Sequence, residues 1–258
     1  MAKIDPSMLD HLFTESNSGA YEGRALKRGD FVNPQAGALA DKASFANILD
    51  CAKVLPFAAE AFEISPDLAD YVITPVEIIR SDLPNRNGVG FLYEELCRYN
   101  PFRGDLAYKT WKGMGAYVEH ADNRDPSKAC GMIIDVAMRK APEFEGRFYR
   151  LNHLVAIDRN KRPDIAAAHL KGERKSFSMG SLCNAYRCSI CQKVVTDTGG
   201  YCEHIDTRTP QAKALSLRVH DGKLAYCQAL GISGLEISSV AIPAATFATS
   251  KEPLWRPK

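Results

Sequence analysis

From about residue 66 the pattern of apolar and polar positions reads mainly as strands. "YVITPVEIIRSDL" (71–83) is β-branched and carries a proline, which suits an edge strand or two short strands. "PNRNGVGF" is a turn built on an Asn-Gly pair, and "FLYEELCRYN" is a short helix ended by "NPFRGD". Three further strands are predicted at "GAYVEH" (115–120), "GMIIDVAMRK" (131–140) and "GRFYRLNHLVAID" (146–158), parted by turn-forming segments. "RPDIAAAHLKGE" has the marks of a short helix, with Pro163 in its first turn and Gly172 as its stop. A strand "KSFSMGS" leads into a cysteine-rich loop. "LRVH", a short helix at "KLAYCQALG" and a last strand "GLEISSVAI" (234–242) follow. Many strands with few helices predict an α+β domain, mostly antiparallel, with a partly closed barrel.

Residues 1–65 read differently. They are rich in Gly, Ala, Asn and Ser with little periodicity, apart from one amphipathic helix expected within "ASFANILDCAKVLPFAAEAF", where Phe45, Ile48, Leu49 and Ala52 share a side. The expected organisation is an arm over 1–65, a domain over 66–248 with a metal-knuckle insertion at 183–206, and a tail over 249–258.

Composition changes this picture little. The 258 residues are 45% hydrophobic and 25% charged, an ordinary globular balance. A formal charge of +2 with no basic stripe argues against a nucleic-acid binder. No apolar run approaches a membrane span, and "MAKIDPSMLDHLF" lacks the apolar core of a signal peptide, so a soluble intracellular protein without membrane contact is expected.

The eight cysteines fit that setting if they are reduced or metal-bound. Cys183, Cys188, Cys191 and Cys202 crowd together while Cys51, Cys97, Cys130 and Cys227 are scattered, which favours a metal over a disulfide framework. "CSICQKVVTDTGGYCEH" offers Cys188 and Cys191 as a knuckle and Cys202 with His204 as a returning pair. Together these suffice for a closed, tetrahedral, structural zinc site. Cys183 is the reserve ligand should the tight Cys-x-His spacing keep His204 out of reach.

"KGERKSFSMGS" (171–181) carries a second candidate chemistry. Strand alternation turns Phe177 and Met179 toward the core and puts Ser176, Ser178 and Gly180 on the other face. The backbone N–H groups of Met179 and Gly180 are then available to hold an oxyanion. On residue type and pattern alone a polar strand face beside a turn is the better fit, since serines are common and most do no chemistry, and the pattern does not choose between Ser176 and Ser178.

A nucleophilic serine needs a base, normally histidine. His11 lies in the arm and His169 on a helix surface, while His153 reads as a satisfied core histidine. His220 precedes a turn, and His204 is explained by the metal. His120 remains, at a strand end where catalytic groups concentrate. For the acid that would orient it, Glu119, Asp122 and Glu236 stay open. Glu119 points away by alternation, Asp122 can turn back through its loop, and Glu236 on an apolar strand needs a partner or faces solvent.

Taken together, "GERKSFSMGS", "YVEHADNRDPSKACGMIIDVAMR" and "GLEISSVAIPAATFA" resemble, in that family's order, the nucleophile, histidine and downstream blocks of tailed-phage prohead (capsid maturation) proteases. The resemblance covers about residues 66–250. It departs from the commonest form at Ser181, where an aromatic is frequent.

The resemblance implies Ser178 as nucleophile, His120 as general base and Glu236 as third member, with Asp122 and His220 as alternatives. It implies a fold like herpesvirus assemblin, a β-barrel-like protease core with a few short helices and here an inserted zinc-binding loop. The implied activity is a serine endopeptidase that cleaves phage scaffold and major capsid proteins inside the prohead, in the host cytoplasm. Cleavage of its own termini and self-association stay open. The alternative expectation is a non-enzymatic, zinc-stabilised capsid assembly or scaffold component.

Overall fold

A computed structural model describes residues 55–141, 148–173, 176–196, 200–205, 217–240, 245 and 248. The expectations for His11, Phe45, Ile48, Leu49, Ala52 and the tail 249–258 lie outside these residues.

Helix α1 (Leu55–Phe62) is followed by strands β1 (Tyr71–Arg80) and β2 (Val89–Phe91), the short helix α2 (Tyr93–Leu96), and the two-residue strands β3 (Tyr99–Asn100) and β4 (Asp105–Leu106). After a 3-10 turn at Ala107–Trp111 come β5 (Gly115–Tyr117), 3-10 turns at His120–Arg124 and Pro126–Lys128, β6 (Gly131–Lys140) and β7 (Tyr149–Asp158). Helix α3 (Pro163–Lys171), β8 (Phe177–Cys188), β9 (Val194–Val195), β10 (Val219–His220), β11 (Lys223–Leu224) and β12 (Cys227–Ser239) complete the chain. No described helix is long and apolar enough to cross a membrane.

Eight strands form one mostly antiparallel sheet in the order β1-β7-β6-β5-β12-β8-β9, with β2 also on β12. Thirteen-residue β12 is its spine. One edge pairs with β8 along nearly its whole length, and the other takes β2 at its start and β5 at its end, both parallel. β1 lies at an edge, where Pro75 is tolerated because among the described residues only β7 pairs with it.

At its β1–β7–β6 end both faces of the sheet are covered. Along β1, Val72 and Val76 enter the main core with Trp111, Ile133 and Phe177, while Tyr71 and Ile73 face a second cluster under α1. Leu55 and Phe62 of α1 are buried there, each stabilising the fold by roughly 1.5–3 kcal/mol. That two-sided burial explains why β1 and β6 read as continuous apolar runs.

Three expectations are corrected. Among the described residues no ladder joins β1 to β8 or β9, so the α+β class holds but the sheet is open and no barrel closes. Ile78, Ile79 and Phe177 stand in the gap, lining a cleft. "KLAYCQALG" is no helix: from Cys227 it belongs to β12, because pairing with β8 and β2 outweighs the helix propensity of Ala and Leu. Gly231, in the left-handed region at φ 61°, would also interrupt a helix. Finally, β8 does not stop at Ser181 but runs on through Cys183 to Cys188.

α3 begins at Pro163 and stops at left-handed Gly172 (φ 70°), as its sequence predicts. His169, however, is buried against the Phe177 ring at 5.1 Å between centroids.

His153, expected as a satisfied core histidine, is fully buried beside Trp111, and among the described residues neither ring nitrogen has a hydrogen-bond partner. Burial pushes it from its ordinary 6.5 down to about 3. The unfolded chain therefore takes up a proton that the folded chain refuses. Stability falls as pH drops from about 6.5 toward 3, by about 4–5 kcal/mol across that window. His153→Leu is expected to flatten this acid limb and to raise stability at neutral pH by about 1–3 kcal/mol. Urea unfolding at pH 7 and pH 4.5 reads both effects.

Candidate functional site

Three neighbouring strands converge on one spot. β12 contributes Glu236 and Ser238, two residues apart and so on one face. Across its β8 edge Glu236 pairs with Gly180, and Ser238 pairs with Ser178. On the other edge Ser238 pairs with Tyr117 of β5, and the chain leaves β5 through Glu119 into the turn that begins at His120. A bulge between Gly234 and Glu236 sets this phase, leaving Leu235 partly exposed and turning Glu236 inward.

His120 Nδ1 lies 2.8 Å from Glu236 Oε1. Glu236 is completely buried, whereas the His120 ring is 47% exposed and opens onto the cleft. The hydrogen bond that His120 donates to Glu236 raises the His120 pKa above its ordinary value, against the opposing effect of partial burial. The second carboxylate oxygen, Oε2, accepts from Ser238 Oγ at 2.5 Å. Tyr117, buried beside the carboxylate, has its phenol pushed up, first by burial and then by the Glu236 charge. With Nδ1 facing Glu236, Nε2 is the ring nitrogen left for a substrate or a nucleophile.

Ser178 and His120 line the same cleft of about 310 Å³, together with Ile78, Val89, Phe91 and Tyr186. Ser178 is 6% exposed, and among the described residues no hydrogen bond joins its hydroxyl to His120. Catalytic contacts of this kind often tighten only around substrate. The Phe177 N–H points away from β12 to Ala248 O at 2.8 Å, so by alternation the Met179 N–H faces the same outer edge of β8. Among the described residues no strand pairs with that edge until β9 meets Tyr186.

By the same alternation the Gly180 N–H, the second oxyanion donor expected from the sequence, faces β12, and Gly180 matters here for its missing side chain. A Cβ there would fall 2.5 Å from Glu236 Oε1, the atom that holds His120. Trp111 Nε1 also donates to Gly180 O at 2.9 Å, pinning the strand in place. Gly180→Ala is expected to displace the carboxylate and free the imidazole. The His120 pKa then falls back toward the ordinary histidine value, and any activity that uses the pair drops on the order of 100-fold. A proton NMR titration of His120 reads the first effect directly.

The structure separates the alternatives. Asp122 bonds Lys128 at 3.2 Å, Glu119 is exposed, and His220 packs edge-on against His204 at 4.8 Å rather than near Ser178. Sequence reasoning missed Ser238 as a partner of Glu236, although period-two spacing in "LEISSV" puts both on one face. It also missed Trp111, whose reach to Gly180 has no local signature.

The other cluster lies at the far end of β8. Ten residues separate Ser178 from Cys188, about 30 Å at strand rise, too far for one centre to use both. Cys188 ends β8, the chain turns through left-handed Gln192 (φ 61°), and β9 returns to pair with Tyr186 and Arg187. The ligand atoms of Cys188, Cys191, Cys202 and His204 all fall within 4.8 Å of one another. Cys191 Sγ is 3.5 Å from Cys202 Sγ, which is 3.6 Å from His204 Nδ1.

Ligands on a tetrahedral zinc stand about 3.5–3.8 Å apart, so this donor set fits a metal of that type. Cys191 is held down to about 7, first by the Lys193 amide and then by His204 and the other thiols. The Cys188 thiol is pushed up to about 11 by burial. His204 does reach the cluster, and Cys183 stays on β8 outside it.

Comparisons of the chain with family models, with curated proteins and with solved structures found no match.

Proposed function

We propose that the chain is a serine endopeptidase in which Ser178 is the nucleophile, His120 the general base and Glu236 the residue that orients the base and stabilises the imidazolium it becomes. One observation carries this reading: a fully buried glutamate holds Nδ1 of a half-exposed histidine, and that histidine shares a cleft with a serine one strand away. His120 Nε2 takes the Ser178 proton, and Oγ attacks the scissile carbonyl. The outward amide of Met179 stabilises the oxyanion. His120 then protonates the leaving amine, and water releases the acyl group.

The cysteine cluster takes no part in these steps. Cys188, Cys191, Cys202 and His204 would hold a structural zinc ion that ties the β8–β9 turn to residues 200–205. The ordered resemblance to prohead proteases supports a more specific reading. In it the substrates are scaffold and major capsid proteins, and the place of action is the phage prohead in the host cytoplasm. Exposed Leu182, Val194, Val219 and Leu224, on strands flanking the cysteine cluster, favour a second reading as a zinc-stabilised assembly component.

The test is labelling with a fluorophosphonate followed by peptide mapping, alongside casein digestion. The protease reading predicts adduct on Ser178 and loss of labelling in His120→Ala. An unlabelled Ser178 with undigested casein, capsid and scaffold proteins overturns it.

A further inference from the structure

We propose that Ser238 is a positioning residue of this site, its buried hydroxyl holding the second oxygen of Glu236 so that the first stays on His120. The inference rests on reading Glu236 and His120 as the acid–base pair.

A carboxylate held at one oxygen can swing about its last torsion, which is broad for glutamate. Glu236 is held at both, with Oε1 on His120 Nδ1 and Oε2 on Ser238 Oγ. Neither Glu236 nor Ser238 has exposed surface, so no solvent can replace the hydroxyl. The backbone fixes the donor as firmly as the acceptor. Ser238 is paired to Ser178 on one side and to Tyr117 on the other, at the junction of the three strands that build the site. Gly180 contributes the open volume into which the carboxylate turns.

The hydroxyl also affects the charge balance. When His120 is neutral, its Nδ1–H still donates to Oε1 but leaves the Glu236 charge uncompensated, so the anion leans on Ser238 for the donor at Oε2. When His120 is protonated, the imidazolium supplies the compensation itself. Removing the hydroxyl therefore penalises the neutral-imidazole state more, and the pair holds its proton more tightly. The other charged or titratable groups around the pair are Tyr117 from β5, Glu119, Asp122 and Asp125 from the turns, Lys128 on Asp122, Cys130 beside Tyr117, and Arg80 across the cleft. They are common to wild type and variant and cancel in the comparison.

The experiment follows the His120 imidazole by NMR titration of the full chain in wild type, Ser238→Ala, Ser238→Cys and Ser238→Thr. Each carries Ser178→Ala to prevent self-digestion. The Ser178-intact forms are assayed on casein across pH. Ser238→Ala is expected to raise the His120 midpoint by on the order of one pH unit. It should move the acid limb of kcat/KM the same way and lower the plateau by on the order of tenfold.

Ser238→Thr, which keeps the hydroxyl, is expected to restore both, and Ser238→Cys, of similar size with a weak donor, to fall between. If Ser238→Ala does not fold, Ser238→Cys decides. An unmoved His120 midpoint in the folded variants overturns the proposal, provided that Glu236→Gln moves it. Absence of casein digestion by wild type at any pH instead counts against the protease reading, and the titration alone then decides the role of Ser238.

Discussion

Ser178→Ala is expected to abolish peptide-bond cleavage, lowering kcat by on the order of 10⁴- to 10⁶-fold, with the fold intact. The side chain removed is small, and among the described residues its hydroxyl bonds nothing that would be left unsatisfied. Its place between Phe177 and Met179 is fixed by backbone pairing to Ser238 rather than by side-chain packing. The loss should therefore appear in turnover and not in a melting curve.

His120→Ala is expected to cost about as much, and the double variant little more, because a nucleophile without its base retains almost none of the gain. In wild type, activity should rise with pH as His120 loses its proton. Glu236 raises the His120 pKa, so the midpoint should lie above the ordinary histidine value and move downward in Glu236→Gln. Single-turnover cleavage of casein and of capsid and scaffold proteins, with new termini mapped by mass spectrometry, measures all of this. Equal cleavage by wild type and Ser178→Ala rejects the assignment.

Loss of metal binding is expected to have the second largest effect, and on stability rather than chemistry. Structural zinc contributes about 10–16 kcal/mol to small zinc-binding peptides. Here the cluster closes a turn at the end of a long paired strand, so several kcal/mol is the expected scale for this chain. Cys188→Ser with Cys191→Ser should remove one bound metal ion per chain and lower the melting temperature sharply. Activity measured below that temperature should survive.

That separation follows from the geometry, because about 30 Å of strand lies between Cys188 and Ser178. Metal content by elemental analysis, melting curves with and without chelator, and cleavage rates at two temperatures test it. A chain purified without metal, whose double variant melts like wild type, rejects the metal centre. Prompt loss of activity on chelation of a still-folded chain would place the metal in the reaction.

Much of this was legible locally. The strands at 71–80, 131–140 and 149–158 follow from β-branched apolar runs, and α3 follows from Pro163 at its start and Gly172 at its stop. The four members of the Cys/His cluster that could hold a metal follow from cysteine spacing, because a knuckle and a returning pair are short-range features of one loop. Where local propensity and strand pairing disagreed, pairing won. Residues 227–231 contain helix formers, yet they extend a strand that has neighbours on both edges.

What sequence alone determined is the set of residue types and their spacing: an α+β chain, a Cys/His ligand set, and Ser178, His120 and Glu236 as members of an ordered resemblance. The tertiary structure decided which of them meet. Register across β8 and β12 chose Ser178 over Ser176 as the neighbour of the glutamate's strand partner, since Ser178 faces Ser238. The same register chose Glu236 over Asp122 and His220, because only the glutamate is carried to the His120 ring. It also left the sheet open at a cleft instead of closing a barrel. These outcomes depend on pairing between residues more than fifty positions apart, which the spacing of residues within any one segment does not encode.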